Sequence, residues 1–178
     1  MSPLFAYKGK LLVVDGKLAA NERCCCDKCL GTIGTLITFD EFPIGTAITD
    51  QYKLQGIIFG GDNPFITTDG GNPTSPVLSG TPRFFGNIRG SFVDPNDGAT
   101  PIGLKSFSLD AGFFDQIGET TLEWYDENNN LIDSITNTII GIETFNITIK
   151  ENEPCIFSWF IKSSAEEAAG FAIDNVSF

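Results

Sequence analysis

From Thr35 onward the chain alternates apolar and polar positions with period two, the spacing that sends successive side chains to opposite faces of a strand. TLITFDEF (35–42) alternates and ends before Pro43, LQGIIFGG (54–61) closes on two glycines, and IRGSFVDP (88–95) stops at Pro95 and the turn Asn96-Asp97-Gly98. LKSFSLDAG (104–112) places Leu104, Phe107 and Leu109 near one face. TTLEWYDENNNLIDSI (120–135) reads as two strands around the polar loop Asn128-Asn129-Asn130. ETFNITIK (143–150) turns Phe145, Ile147 and Ile149 inward, and CIFSWFIKS (155–163) and GFAIDNVSF (170–178) close the chain. Only SAEEAA (164–169) hints at a helical turn. Eight or nine strands separated by turn signals predict an all-β fold, an antiparallel β-sandwich of jelly-roll type, with its first and last strands paired. The segment Gly60–Arg83 interrupts the alternation with repeated glycine and proline, which predicts a long loop, either binding or merely solvated.

Before this body lies an arm of different character, so the chain divides into residues 1–34 and 35–178. The arm's LLVV-DG-KLAA places two apolar runs around Asp15-Gly16, the signature of a two-residue hairpin turn. A lone hairpin is marginal in water, so this one is expected to rest on its own domain or on another chain. Four of the five cysteines then fall together as Cys24, Cys25, Cys26 and Cys29. Three readings stand open. The first is a thiolate site for Zn²⁺ or an iron–sulfur cluster, with Cys26 and Cys29 as a C-x-x-C half; the second is disulfides within the arm or between chains; the third is an inert turn of reduced thiols. Cys155, after Pro154 in a strand-like run, reads as a small core residue.

Charge sharpens the division. The protein carries 11 Lys and Arg against 23 Asp and Glu, a net charge of −12; the arm holds +2 and the body −14. Phosphate recognition needs clustered cations, so nucleic acid is not an expected partner, nor is an anionic membrane surface. No apolar run approaches the ~18–20 residues of a membrane span, and Lys8 and Lys10 interrupt what would be the apolar core of a secretory signal, so neither is expected. The sequence has no histidine, which removes Ser-His and Cys-His catalysis and His-ligated metals. Glycosidase chemistry needs two placed carboxylates, and nothing in the sequence selects a pair, so no enzyme activity is expected.

Asp40 and Glu41 follow the first body strand and Asp174 lies in the last. If those strands are neighbours, the three carboxylates converge at one end of the sandwich, where Ca²⁺ would find hard oxygen ligands. A sugar platform is the other candidate. Trp124, Tyr125 and Trp159 would stack on pyranose faces, although alternation sends Trp124 and Tyr125 to opposite faces. Asp62, Asn63, Asp69 and Asn72 of the long loop would bond hydroxyls.

Thr38-Phe39-Asp40-Glu41-Phe42-Pro43-x-Gly45-Thr46, Gln51-Tyr52, Gly56-Ile57-x-Phe59, Phe92-Val93-Asp94-Pro95, Tyr125-Asp126 and Phe171-x-Ile173-Asp174-Asn175-Val176-x-Phe178 together form a pattern over residues 35–178. It resembles the lectin-like β-sandwich of bacterial exported proteins of the PEP-CTERM class, and its closing motif resembles calcium-bearing, galactose-binding-like carbohydrate-binding modules. A Pro-Glu-Pro tail like that of the exported class is not found within residues 1–178. The arm, Tyr7-x-Gly9-Lys10-Leu11-Leu12-Val13-Val14-x-Gly16-Lys17-Leu18-Ala19 with Cys24-Cys25-Cys26, is similar to an N-terminal module of phage tail-associated structural proteins. These resemblances imply a phage virion component, a tail or baseplate appendage or fibre. Its arm would attach to other virion proteins and to copies of itself, a trimer being favoured, with an outward sandwich that can bind host glycans. The alternative is a secreted or cell-surface bacterial carbohydrate-binding protein.

Overall fold

The computed structural model describes residues 12–14, 17–19, 29–72, 74–164 and 170–178. In the arm, β1 (Leu12–Val14) and β2 (Lys17–Ala19) pair antiparallel as a separate two-stranded sheet, the hairpin expected around Asp15-Gly16.

The body is a sandwich of two antiparallel sheets. One runs in the order β10 (Leu131–Thr136), β9 (Thr120–Tyr125), β12 (Ser158–Ser163), β7 (Ile88–Phe92) and β4 (Ile57–Gly61). The other runs β11 (Gly141–Thr148), β8 (Ser106–Phe114), β13 (Ala172–Ser177), β6 (Val77–Ser79) and β5 (Phe65–Thr67), with β3 (Leu36–Ile37) also pairing β13. First and last body strands are therefore neighbours, as the sequence implies. Thr35 and Phe178 exchange backbone hydrogen bonds at 3.0 and 3.2 Å. A single 3₁₀ turn, Lys53–Gln55, is the helical segment among the described residues, and none of these is long and apolar enough to cross a membrane.

Alternation decides which side chains fill the space between the sheets. Leu122 and Trp124 from β9, Phe107 and Leu109 from β8, Phe145 and Ile147 from β11, and Trp159 and Ile161 from β12 are all buried there. Trp159 lies parallel to Phe107 across the sandwich, with centroids 6.1 Å apart, and meets Phe59 edge-on. Each such buried aromatic removes a large apolar area from water, the dominant stabilising term. Gly90 makes room for this packing, since a Cβ there would lie 2.3 Å from the Trp159 ring.

Two sequence expectations are corrected. TLITFDEF is a strand only at Leu36–Ile37: Phe39 takes φ 59°, a left-handed conformation that turns the chain so that its ring enters the core. The long Gly60–Arg83 loop contains a short antiparallel hairpin, β5 with β6, in which Ile66 and Leu78 point into the core.

Cys29 is bonded to Cys155, which corrects the reading of Cys155 as a simple core residue. Cys155 is buried, but as half of a disulfide that fastens the root of the arm to the segment before β12. Leu30 continues the attachment: its N–H donates to the Gly103 carbonyl at 2.8 Å and its carbonyl accepts from Lys105 N–H at 3.0 Å. Cys29 is therefore not a free thiolate for a metal. Cys24, Cys25 and Cys26 lie outside the described residues, as does most of SAEEAA.

Candidate functional site

The outer face of the five-stranded sheet gathers the chemistry that the core excludes. On β9 the side chains alternating with Leu122 and Trp124 are Thr121, Glu123 and Tyr125. On β12 the outward residues are Ser158, Phe160 and Lys162, and on β7 they are Arg89 and Ser91. Strand register then sets them side by side: Phe160 stands opposite Glu123 on one flank and Arg89 on the other, while Ser158 stands between Tyr125 and Ser91. Phe160 and Tyr125 are both half-buried.

These groups hold one another. Lys162 Nζ donates to Glu123 Oε1 at 2.7 Å, and Tyr125 Oη donates to Glu123 Oε2 at 2.6 Å. The Lys162 ammonium, then the Tyr125 hydroxyl, hold the Glu123 carboxyl below its ordinary value; burial and the Glu123 charge push the Tyr125 phenol up to about 12. Arg89 Nη2 donates to Ser158 Oγ at 3.0 Å and to Asn129 Oδ1 of the β9–β10 turn, and its guanidinium carbon lies 5.7 Å from the centre of the Tyr125 ring. Beside it is a cleft of about 200 Å³, with Arg89, Ser91, Pro101, Glu127, Asn129 and Ser158 among its walls. Strands rather than loops carry most of these side chains, so the constellation is rigid.

Tyr125 is thus the member of the expected sugar platform that stands on this face. Trp124, 8% exposed, and the fully buried Trp159 belong to the core, which corrects their place in that platform. The four loop residues hold their own loop. Asp62 Oδ2 accepts from Asn87 N and Nδ2, both at 2.9 Å, and the Asn63 carbonyl accepts from Thr81 Oγ1 at 3.0 Å. Asp69 Oδ1 accepts from Gly71 N at 2.9 Å, and the buried Asn72 accepts from Thr74 N at 3.0 Å. Sequence reading missed Arg89, Glu123, Ser158, Phe160 and Lys162. The alternation of IRGSF and SWFIKS carries the signal that these residues face outward, but only the strand order brings them together.

Asp40, Glu41 and Asp174 do come to one end of the sandwich, because β3 pairs with β13. There Asp174 is 1% exposed; the Thr74 hydroxyl contacts its Oδ2, and Asn175 N donates to its Oδ1 at 2.8 Å. Asp110 faces it in register from β8. Burial raises the Asp174 carboxyl to about 6, with the Asp40 and Asp110 charges adding to the rise. Glu41 turns to Tyr52, accepting its hydroxyl proton at 2.8 Å; burial, then Glu41, raises the Tyr52 phenol. No group of three His, Cys, Asp or Glu side chains among the described residues is placed to hold a metal ion. Within the expected calcium set of Asp40, Glu41 and Asp174, Glu41 is engaged by Tyr52 and Asp174 by Thr74.

No protein-family model matches the chain, and no curated protein matches it in sequence. Among solved structures it is similar to the C-terminal family 22 carbohydrate-binding module of Clostridium thermocellum Xyn10B, at 13% sequence identity and a TM-score of 0.39 over 78% of this chain and 94% of that one.

Proposed function

We propose that the protein is a carbohydrate-binding β-sandwich whose sugar site is the outer face of the five-stranded sheet. The observation that carries this reading is the row Glu123, Phe160 and Arg89 across three adjacent strands, with Tyr125 beside it. Apolar ring surface for a pyranose and fixed donors and acceptors for its hydroxyls stand together on a rigid, partly exposed face, the combination sugar recognition uses. The row offers no pair of free carboxylates, because Glu123 is neutralised by Lys162 and engaged by Tyr125. Binding without catalysis is the role these contacts support.

A secreted or cell-surface setting is part of the proposal. The Cys29–Cys155 disulfide suits an oxidising compartment. The virion reading rests on the arm, whose distinguishing cysteines lie outside the described residues, and no observation in the sandwich favours it. A glycan array followed by calorimetric titration of the strongest hit tests the sugar-binding proposal. Wild-type protein should bind, and Tyr125→Ala and Phe160→Ala should each weaken binding while retaining the fold. Unaltered affinity in both variants would place the sugar elsewhere.

A further inference from the structure

The charge on the sheet face is unevenly satisfied, and the exception is Arg89. Residues 35–178 contain twenty acidic side chains and six basic ones. Among the described residues, Lys53, Lys150 and Lys162 each sit within 4 Å of a carboxylate. Arg89 does not. Its acceptors are a neutral amide oxygen, Asn129 Oδ1, and a neutral hydroxyl, Ser158 Oγ, both taken by Nη2. Nε and Nη1 have no hydrogen-bond acceptor among the described residues.

The other cation of this face, Lys162, has found a carboxylate, whereas the Arg89 guanidinium has not. Here it is held away from one, against the Tyr125 ring and at the wall of the cleft. An arginine immobilised in this way loses little further freedom on binding. Its planar fork matches a carboxylate better than it matches a sugar hydroxyl. Most of the neighbouring charges are already committed, Glu127 excepted. Lys162 and Glu123 neutralise each other, and Asp126 is occupied by Asn128 N, Asn130 N and Asn130 Nδ2 in its own turn. Glu127, also at the cleft, is exposed.

On the reading that this face binds sugar, we propose that its ligand is an acidic glycan whose carboxylate pairs with Arg89 while an adjacent ring lies on Phe160 and Tyr125. The −14 charge of the body repels a dense polyanion. The class that fits both facts is therefore a mostly neutral glycan with isolated carboxylates, such as a sialylated or uronic-acid-substituted chain, and not a polysulfated or homopolyuronate polymer.

Matched pairs test this: sialyllactose against lactose, and a glucuronic-acid-substituted xylooligosaccharide against its unsubstituted counterpart. Each is titrated into the full chain and into Arg89→Gln and Arg89→Lys, with the thermal midpoint of each variant measured alongside. A charge-assisted pair predicts about 10- to 100-fold tighter binding of the carboxylated member of at least one pair. That preference should be abolished by Arg89→Gln and only partly retained by Arg89→Lys, which keeps the charge but lacks the fork. Sugar binding with no preference for the carboxylate, or a preference untouched by Arg89→Gln in a folded variant, overturns the acidic-ligand inference and leaves the sugar site standing. Failure of the wild-type protein to bind any member of either pair, together with an empty glycan array, overturns both. Displacement of the acidic glycan by polyglutamate at equal carboxylate concentration would show that the face reads carboxylates without regard to sugar, and overturns the glycan assignment.

Discussion

Cys29 and Cys155, 126 positions apart, are joined by a disulfide that brings their Cα atoms to 5.4 Å, so the root of the N-terminal arm is covalently part of the sandwich. Closing so long a loop removes much of the unfolded chain's freedom. The chain-entropy account puts the stabilisation at about 4–5 kcal/mol. Reduction, or the paired change Cys29→Ser with Cys155→Ala, is expected to lower the thermal midpoint by on the order of 10 °C. Melting with and without reductant measures it. Alkylation of the unreduced, denatured protein should leave both cysteines unmodified.

The buried Asp174 predicts an unusual pH response. Its folded carboxyl titrates near 6, above the ordinary 3.8, so the native state binds this proton more tightly than the unfolded chain does. Ionisation therefore costs stability. The cost is absent below about pH 4, grows between 4 and 6, and is complete above 6, on the order of 2–3 kcal/mol. Asp174→Asn should remove this component. The difference in unfolding free energy between wild type and variant, measured from pH 4 to 7.5, should slope in the sense that wild type loses ground as pH rises. A flat difference would contradict the assignment.

Trp124 and Tyr125 are neighbours in sequence with opposite duties. Trp124→Ala should cost about 3–5 kcal/mol of stability, because it empties a core position. Tyr125→Ala should cost less, about 1 kcal/mol, since a half-buried ring outside the core is lost, and reduce sugar affinity. Chemical denaturation and titration of the two variants separate the roles.

Gly90 offers a test of the core. A methyl group there would collide with the Trp159 ring, whose buried Nε1 already lacks a hydrogen-bond partner. Gly90→Ala should destabilise by about 1–3 kcal/mol through overpacking. Replacing the outward neighbour, as Ser91→Ala, should have little effect.

Much of this architecture is legible in the chain because period-two alternation reports directly on which side of a sheet a residue faces. Phe107 and Leu109, Phe145 and Ile147, and the split between Trp124 and Tyr125 all follow from it. The pairing of β3 with β13 follows from strong apolar patterns at both ends of the body. What alternation cannot report is which strands lie side by side. Arg89 and Phe160 are 71 positions apart and meet only because β7 and β12 are neighbours in the sheet. The same holds for Cys29 and Cys155. The β5–β6 hairpin escaped for a different reason: strands of three residues between Gly and Pro are too short to show a period.

The account turns on the outer face of β9, β12 and β7. The measurement that tests it most directly is a titration of isotopically labelled protein with the strongest array ligand, followed through backbone amide chemical shifts. The account predicts that the largest shifts fall at 89–91, 121–125 and 158–162, with the Asn129 turn included. Shifts confined to residues 62–86, or none at saturating ligand, would contradict it.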